Sequence, residues 1–348
     1  MQRRSYRVLT LLFGLATSTL CAERLNLALP TDNDALFRGG GPEFYQYIER
    51  DYRGEKSWPW QGGQYGFVRN PVATADGLVY ARFHEGIDIK PMHRDAAGEP
   101  LDEVRAIAEG TVVYTNTVPG WSNYGNYAVI EHHWDGSPYY SLYGHLRAIS
   151  AHRGQRVARG EVIAVMGYTG EGLNRERAHL HLELNLMLNR SFESWYDTFE
   201  KSEPNHHGIY NGINLIGLDV ARLFLALRAN PGITLPQFLG REETFYRVAV
   251  PNSPHFFLGK TYPWLWKGDP AGAASAIISF SRAGVPLKIE PSNAAVAAPQ
   301  VVFVRKRHID YSLLTRGVLT GRGADARLTE SGLRQMQLLT WPSPERDR

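Results

Sequence analysis

The central part of the chain consists of short runs in which apolar and polar residues alternate, separated by glycine. Examples are GTVVYTNTV (110–118), NYAVIEHHW (126–134), YYSLYGHL (139–146) and GEVIAVMGYTG (160–170). A period of two is typical of β-strands, and glycine-rich turns of this kind join antiparallel strands. The pattern predicts a mainly β fold, with an antiparallel sheet domain over residues 58–192.

The pattern changes after this region. A polar, loop-like linker is predicted over 193–212. INLIGLDVARLFLALRA (213–229) has apolar residues at three- and four-residue spacing and predicts an amphipathic helix that ends at Asn230. Strand-like runs follow in TFYRVAVP, AIISFSRAG and QVVFVRKRH, and a last helix is expected from about Thr329. We therefore predict an α+β C-terminal region over 213–348 and a separate N-terminal segment over 23–57.

The first residues have the layout of a secretory signal peptide. MQRRSYR carries three arginines, and VLTLLFGLATSTLCA is a short apolar run that ends in small residues, with cleavage expected after Ala22. The apolar run is too short to favour a membrane span. A lipid anchor at Cys21 is the second choice, because Leu20 is a poor residue before such a cysteine. We expect an exported protein, periplasmic or secreted.

Removing residues 1–22 changes the charge and the cysteine count. Three arginines leave, so that Lys+Arg falls from 38 to 35 against 35 Asp+Glu. The mature chain is then neutral, which removes the electrostatic support for nucleic-acid binding. The single cysteine leaves as well, so the exported protein is expected to fold without disulfides.

Two strand-like motifs place ligand-type residues on one face. In HLHLEL (179–184), alternation puts His179, His181 and Glu183 on one face and the leucines on the other. In FHEGIDIK (83–90), His84, Gly86 and Asp88 share a face, and the isoleucines share the opposite one. The aliphatic faces are expected in the core, and Gly86 leaves space for an ion or a substrate.

These side chains are suited to zinc. Imidazole nitrogen and carboxylate oxygen are standard zinc donors, and three protein ligands leave a fourth position for water, whose pKa the metal lowers. A further histidine, His145 in YGHL, is predicted by alternation to share a face with Tyr139, Ser141 and Tyr143. Four histidines and one aspartate exceed the needs of one ion, and hydrolysis also requires groups that move protons and stabilise an oxyanion.

The order of these motifs resembles that of the M23 metallopeptidases, the lysostaphin- and LytM-like peptidoglycan endopeptidases. The resemblance rests on H-x-x-x-D (84–88), the YGHL histidine and H-x-H (179–181). YGFVRNP (65–71), EGTVVYTN (109–116), WSNYGN (121–126) and RGQRVARGEVIAVMGYTG (153–170) are also similar to family segments. The resemblance covers residues 60–190 and implies a LytM-type antiparallel domain.

Carried over residue by residue, the resemblance implies that His84, Asp88 and His181 hold one zinc ion per chain. It implies that His145 and His179 are the catalytic pair, one acting as general base and the other donating to the oxyanion. Two further expectations concern residues next to this set. Glu183 is expected to orient an imidazole, and Tyr124 and Asn126 are expected to line the substrate groove.

The leading hypothesis is an exported zinc endopeptidase that hydrolyses the peptide cross-links of bacterial peptidoglycan. The alternative is a non-catalytic LytM-like factor that regulates other wall hydrolases; such a factor is expected to lack part of the five-residue set. A third option keeps the zinc chemistry but acts on other extracellular proteins.

Aromatic and histidine residues outside the motifs are given structural roles. Trp58, Trp60 and Trp121 are candidates for binding sugar, but we expect two of the three to pack into the domain. His206 and His207 are expected in a solvated loop rather than at a second metal.

Overall fold

Antiparallel strands form most of the regular structure of this chain, which a computed structural model describes over residues 24–200, 202–251 and 256–342. The predicted signal peptide lies outside the described residues. The strands are β1 Arg50–Tyr52, β2 Glu55–Ser57, β3 Gly66–Thr74, β4 Gly77–His84, β5 Ile87–Ile89, β6 Glu103–Arg105, β7 Gly110–Asn116, β8 Tyr127–Trp134, β9 Ser137–Gly144, β10 Leu146–Ile149, β11 Arg156–Val157, β12 Val162–Met166, β13 Leu180–Met187, β14 Leu215–Gly217, β15 Tyr246–Pro251, β16 Ser275–Phe280, β17 Pro286–Ser292, β18 Gln300–Val304, β19 Leu319–Thr320 and β20 Arg327–Leu328. The helices are α1 Phe192–Phe199, α2 Val220–Ala229, α3 Leu235–Leu239, α4 Phe257–Thr261 and α5 Glu330–Leu339.

The largest sheet has the strand order β11-β7-β8-β9-β13-β14, and β5 also pairs with β13. Strand β13 is central: β9 runs along one edge, and β5 followed by β14 runs along the other. Every residue of β13 is buried, and its leucines belong to the main hydrophobic core. The mainly β, antiparallel fold predicted from the alternating pattern is confirmed.

The C-terminal region begins with a strand rather than a helix. Leu215–Gly217 forms β14 and pairs with Asn185–Met187 of β13, so the helix predicted from residue 213 is wrong over its first turns. Helix α2 begins at Val220, because the Asp219 side chain accepts a hydrogen bond from the Arg222 amide and caps the helix. Apolar spacing alone did not separate the strand from the helix that follows it.

The remainder of this region contains a four-stranded sheet in the order β17-β16-β15-β18. Three of these strands coincide with the predicted runs TFYRVAVP, AIISFSRAG and QVVFVRKRH, which are confirmed as strands. The predicted last helix is also confirmed. It is α5, capped by the Thr329 side chain, which accepts from the Gly332 amide.

The C-terminal region contacts the bend that joins β4 to β5. Arg316 donates to Glu85 Oε1 at 2.6 Å and lies over the Phe83 ring. Gly217 lets the Glu85 carbonyl approach so closely that a Cβ atom there would lie 2.1 Å from it. Tyr65 donates to the Gly217 carbonyl at 2.8 Å. The bend is thus held by residues far away in the sequence.

The N-terminal segment packs along β5. The Gln46 amide donates to the Asp88 carbonyl, and the Lys90 amide donates to the Phe44 carbonyl, each at 2.9 Å. Phe44 and Tyr45 are buried in the same core as the β13 leucines. The domain boundaries at 57, 192 and 212 stay predictions. Among the described residues, no helix combines the length and apolar character needed to cross a bilayer.

Candidate metal and catalytic centre

Three potential metal ligands meet where β4 ends and β5 pairs with β13. The register places Asp88 directly opposite His181, and His84 is the last residue of β4. His84 Nε2 lies 3.1 Å from Asp88 Oδ1 and 3.1 Å from His181 Nδ1. His181 Nδ1 lies 3.0 Å from Asp88 Oδ1. All three side chains are buried, and they are the group of three potential ligands found within the described part of the chain.

The size of this triangle fits a zinc ion. Donors about 2.0–2.1 Å from zinc in a tetrahedral site lie about 3.3 Å from one another. The three donor atoms are 3.0–3.1 Å apart, within a few tenths of an ångström of that spacing. The donor set, two imidazoles and a carboxylate, is also a zinc set, and three ligands leave a fourth position open.

Hydrogen bonds fix the orientation of His84 and Asp88. His84 Nδ1 donates to the Gln64 carbonyl at 2.8 Å, so its Nε2 lone pair points toward the other two donors. Arg69 donates to Asp88 Oδ2 at 2.6 Å and to the Gly62 carbonyl at 2.8 Å. One carboxylate oxygen is therefore occupied by a guanidinium, and Oδ1 faces the histidines.

The charges around Asp88 keep it ionised. Burial alone would raise its pKa, but the nearby His84, His179 and Arg69 outweigh burial and hold the pKa well below the ordinary value. A buried carboxylate is therefore available as a ligand without first losing a proton.

His181 lies between two carboxylates. Its Nε2 is 2.8 Å from Glu183 Oε1, and Glu183 also accepts from the Tyr124 hydroxyl at 2.9 Å and from Asn185 at 3.0 Å. Burial alone would lower the pKa of His181, but the hydrogen bonds to Asp88 and Glu183 raise it to about 9. Glu183 thus contacts the imidazole that it was expected to orient.

Gly86 is required by the close approach of the bend to β13. A Cβ atom at this position would lie 2.4 Å from the Leu182 carbonyl oxygen and 3.0 Å from His181 Nε2. Any larger residue would push the bend, and with it the ligands on either side, away from β13. The space left by Gly86 is filled by the protein's own strand, not by the ion or substrate that the sequence suggested.

His145 and His179 form a second pair beside the triangle, with ring centroids 4.7 Å apart. Each ring is fixed through Nδ1: His145 donates to the Thr169 carbonyl at 2.8 Å and His179 to the Arg177 carbonyl at 2.7 Å. Nε2 of His145 is left as an acceptor, whereas Nε2 of His179 faces Asp88 Oδ1 at 3.3 Å. Burial, with the nearby His179 and His181, holds the pKa of His145 well below its ordinary value.

His145 reaches the site by a route that alternation does not predict. Gly144 of β9 pairs with His181, so Tyr143 points to the opposite face and packs in the core. The prediction that His145 shares a face with Tyr139, Ser141 and Tyr143 is therefore wrong. The left-handed backbone of His145 (φ 62°) ends the alternation after β9 and turns the imidazole to the face of His181.

The two predicted groove residues are placed differently. The Tyr124 ring lies 5.3 Å from the His181 ring, next to the site. Asn126 closes the loop through its backbone: its amide donates to Thr169 Oγ1 at 2.9 Å and its carbonyl accepts from the Leu146 amide. Arg69 was not singled out, although it lies within the YGFVRNP segment.

The similarity of this chain to known proteins agrees with this geometry. Residues 82–191 match the model of peptidase family M23. This segment is therefore an M23 peptidase domain, and the resemblance drawn from the motifs is confirmed.

Two relatives share parts of this segment. The lipoprotein NlpD/LppB homolog of Pseudomonas aeruginosa is 36% identical over 116 residues, which are 32% of this chain and 34% of the relative. The peptidoglycan DD-endopeptidase ShyA of Vibrio cholerae is 41% identical over 76 residues, 22% of this chain and 16% of the relative. The chain thus spans about a third or less of the length of these relatives.

Two of the solved structures that are similar to this chain are peptidases. The catalytic domain of lysostaphin from Staphylococcus simulans is 29% identical and covers 34% of this chain and 76% of its own, with a TM-score of 0.24. A zinc-containing peptidase from Vibrio cholerae is 28% identical and covers 42% of this chain and 39% of its own, with a TM-score of 0.24.

Proposed function

We propose that this protein is an exported, zinc-dependent endopeptidase that hydrolyses peptide cross-links in bacterial peptidoglycan. The observation that carries the proposal is the buried triangle of His84 Nε2, Asp88 Oδ1 and His181 Nδ1, 3.0–3.1 Å on each side, next to a second pair of fixed histidines. The M23 segment and a relative named as a peptidoglycan endopeptidase support the substrate class. The layout of residues 1–22 supports export.

His84, Asp88 and His181 would hold the ion in this proposal. When bound, zinc activates a water molecule for attack and polarises the carbonyl of the scissile bond. Arg69 compensates one negative charge beside the ion, and Glu183 fixes the ring of His181 by accepting from its other nitrogen.

His145 and His179 would move the protons. Because both Nδ1 atoms donate to backbone carbonyls, each ring presents Nε2 to the site. One Nε2 takes a proton from the attacking water, and the other, protonated, donates to the oxygen that gains negative charge. Burial favours neutral His145 before the reaction, which suits a proton acceptor.

Two variants of the full chain test the proposal. His181→Ala removes a ligand, so zinc measured by atomic emission should fall from one ion per chain to background, and release of soluble products from peptidoglycan should stop. His145→Asn keeps the triangle and suits the left-handed backbone, since asparagine tolerates positive φ. It should retain zinc and lose about 10²–10⁴-fold in rate. His152→Ala, at an exposed histidine, is the matched control and should behave like wild type.

The outcomes separate this proposal from the alternatives. A natively folded wild-type protein that binds no zinc and releases nothing would favour the regulatory factor. Zinc binding with hydrolysis of casein- or elastin-type proteins, but not of cross-linked muropeptides, would favour another extracellular substrate. The masses of products from defined muropeptides identify the bond that is cut.

A further inference from the structure

An exposed aromatic pair lies on the loop that precedes Tyr124. The rings of Trp121 and His206 are stacked, with centroids 4.5 Å apart and planes inclined by 10°. Trp121 is 48% exposed, and His206 is exposed as well. The expectation that two of the three tryptophans pack is wrong: Trp60 packs against the core, whereas Trp58 is 57% exposed.

The pair is held by a buried histidine. His207 is 7% exposed; its Nε2 donates to the Trp121 carbonyl and its Nδ1 accepts from the Tyr114 hydroxyl, both at 2.9 Å. The two bonds are mutually consistent, because they require the neutral ring protonated on Nε2. The expected solvated loop is therefore wrong for His207. His207 thus fixes the backbone that carries the indole, and the stacked His206 ring supports the indole itself before any ligand arrives.

The two segments that carry the aromatic pair both reach Tyr124, which lies beside the proposed centre. Trp121 is three residues before Tyr124, so their Cα atoms are at most about 11 Å apart. Tyr124 in turn contacts Glu183 and lies beside the His181 ring. The segment that carries His206 continues to Gly212, where a Cβ atom would lie 2.9 Å from the Tyr124 hydroxyl. The segment of Trp121 and the segment of His206 thus both approach the site through Tyr124.

We infer that Trp121 and His206 form a stacking subsite for a sugar ring of the peptidoglycan glycan strand, an N-acetylated hexosamine. This inference rests on the proposed function, since that substrate carries a glycan next to the peptide that is cut. A pyranose presents a flat face of C–H bonds, whose partial positive charge suits the negative face of an indole. Because the His206 ring covers one face of the indole, the sugar would stack on the opposite face, and His206 would support the indole from behind.

The experiment uses the full-length, zinc-loaded protein and peptide-free glycan strands, which hold no bond for the enzyme to cut. Trp121→Ala should weaken binding to these strands by about tenfold, as measured by calorimetry or co-sedimentation. On intact peptidoglycan the same variant should raise KM with kcat unchanged, and on a sugar-free cross-linked peptide both constants should be unchanged. His152→Ala, at an exposed histidine, is the control and should match wild type in every assay.

Three results would overturn the inference: wild-type protein that does not bind the peptide-free strands, Trp121→Ala that binds them as wild type does, or equal losses on the sugar-free peptide. His206→Ala, which keeps the indole and removes its stacked partner, is expected to give a smaller loss and guards against misfolding of the first variant. If the protein binds the glycan through Trp121 but hydrolyses nothing, only the proposed function is contradicted. If it hydrolyses peptidoglycan without such binding, only the sugar subsite is contradicted.

Discussion

Lowering the pH from 7.5 to 5 is expected to destabilise the folded protein by about 2 kcal/mol through one buried histidine, His132. This residue of β8 is 1% exposed and lies on the face of the sheet opposite to His181. Its Nδ1 is 2.6 Å from the Glu109 carbonyl, and its Nε2 is 2.7 Å from the Ser141 hydroxyl.

The surrounding hydrogen bonds can all be made by the neutral ring, which its burial favours. Because a carbonyl can only accept, Nδ1 of His132 carries a proton, and in the neutral ring Nε2 accepts from the Ser141 hydroxyl. Ser141 Oγ lies 3.0 Å from the Tyr143 hydroxyl, which accepts from the Ile107 amide at 2.8 Å. A proton on Nε2 would take the place of the Ser141 hydroxyl proton and charge a ring that is 1% exposed.

The magnitude follows from the pKa. Burial, the largest influence, lowers the pKa of His132 from 6.5 to about 4. Below pH 6.5, His132 therefore binds a proton in the unfolded chain but stays neutral in the folded chain until the pH approaches 4. The contribution of neutral His132 to the free energy of unfolding is fully present above pH 6.5 and is lost as the pH falls toward 4. At about 1.4 kcal/mol for each unit, the full loss is about 3 kcal/mol, of which about 2 kcal/mol is reached at pH 5.

Urea unfolding at pH 7.5 and 5.0 measures this effect. Wild type should lose about 2 kcal/mol more between the two pH values than His132→Gln, which cannot titrate. The zinc ligands are common to both proteins, so their titration cancels in the comparison. His133→Gln, at the exposed neighbour, should behave like wild type. Equal losses for wild type and His132→Gln, or an imidazole pKa above 6 for His132 by NMR, would refute the reasoning.

Three further predictions concern the proposed centre. Arg69→Met removes the guanidinium partner of the buried Asp88 and should weaken zinc binding by roughly 10- to 100-fold in a chelator competition; an unchanged affinity would show that the guanidinium does not orient the carboxylate. Glu183→Gln should weaken zinc by a similar factor through His181, with the far-ultraviolet spectrum unchanged, and equal zinc affinities for the variant and wild type would contradict it. Gly86→Ala should cost about 1–3 kcal/mol in urea unfolding, because its Cβ would meet a β13 carbonyl at 2.4 Å; no loss would mean that the bend yields easily.

The alternation of apolar and polar residues predicts which face a side chain occupies wherever the strand is regular. It placed His181 and Glu183 on one face of β13, with His179 just before the strand, and the antiparallel register brings Asp88 opposite His181. Strand register is a tertiary property, however, and the motif order, not spacing, suggested which strands would meet.

The failures fall where local sequence does not determine the backbone. The left-handed conformation of His145 is set by the loop around it, since the His145 amide donates to the Tyr124 carbonyl. The strand at Leu215–Gly217 exists because β13 offers it an edge, and no periodicity within INLIG reports that edge. Arg69 is one of many arginines until the fold brings it to Asp88.

The pairing of β14 with β13 has a consequence for domain exchange. Strand β13 carries His181 near one end and bonds to Leu215–Gly217 through Asn185–Met187 at the other. A cassette that stopped at residue 192 would leave this backbone unsatisfied and open to pairing with other chains. It would also leave Glu85 without Arg316. Chimeras with other M23 domains should therefore place their junction beyond Arg316, so that residues 193–316 are transferred together with the site.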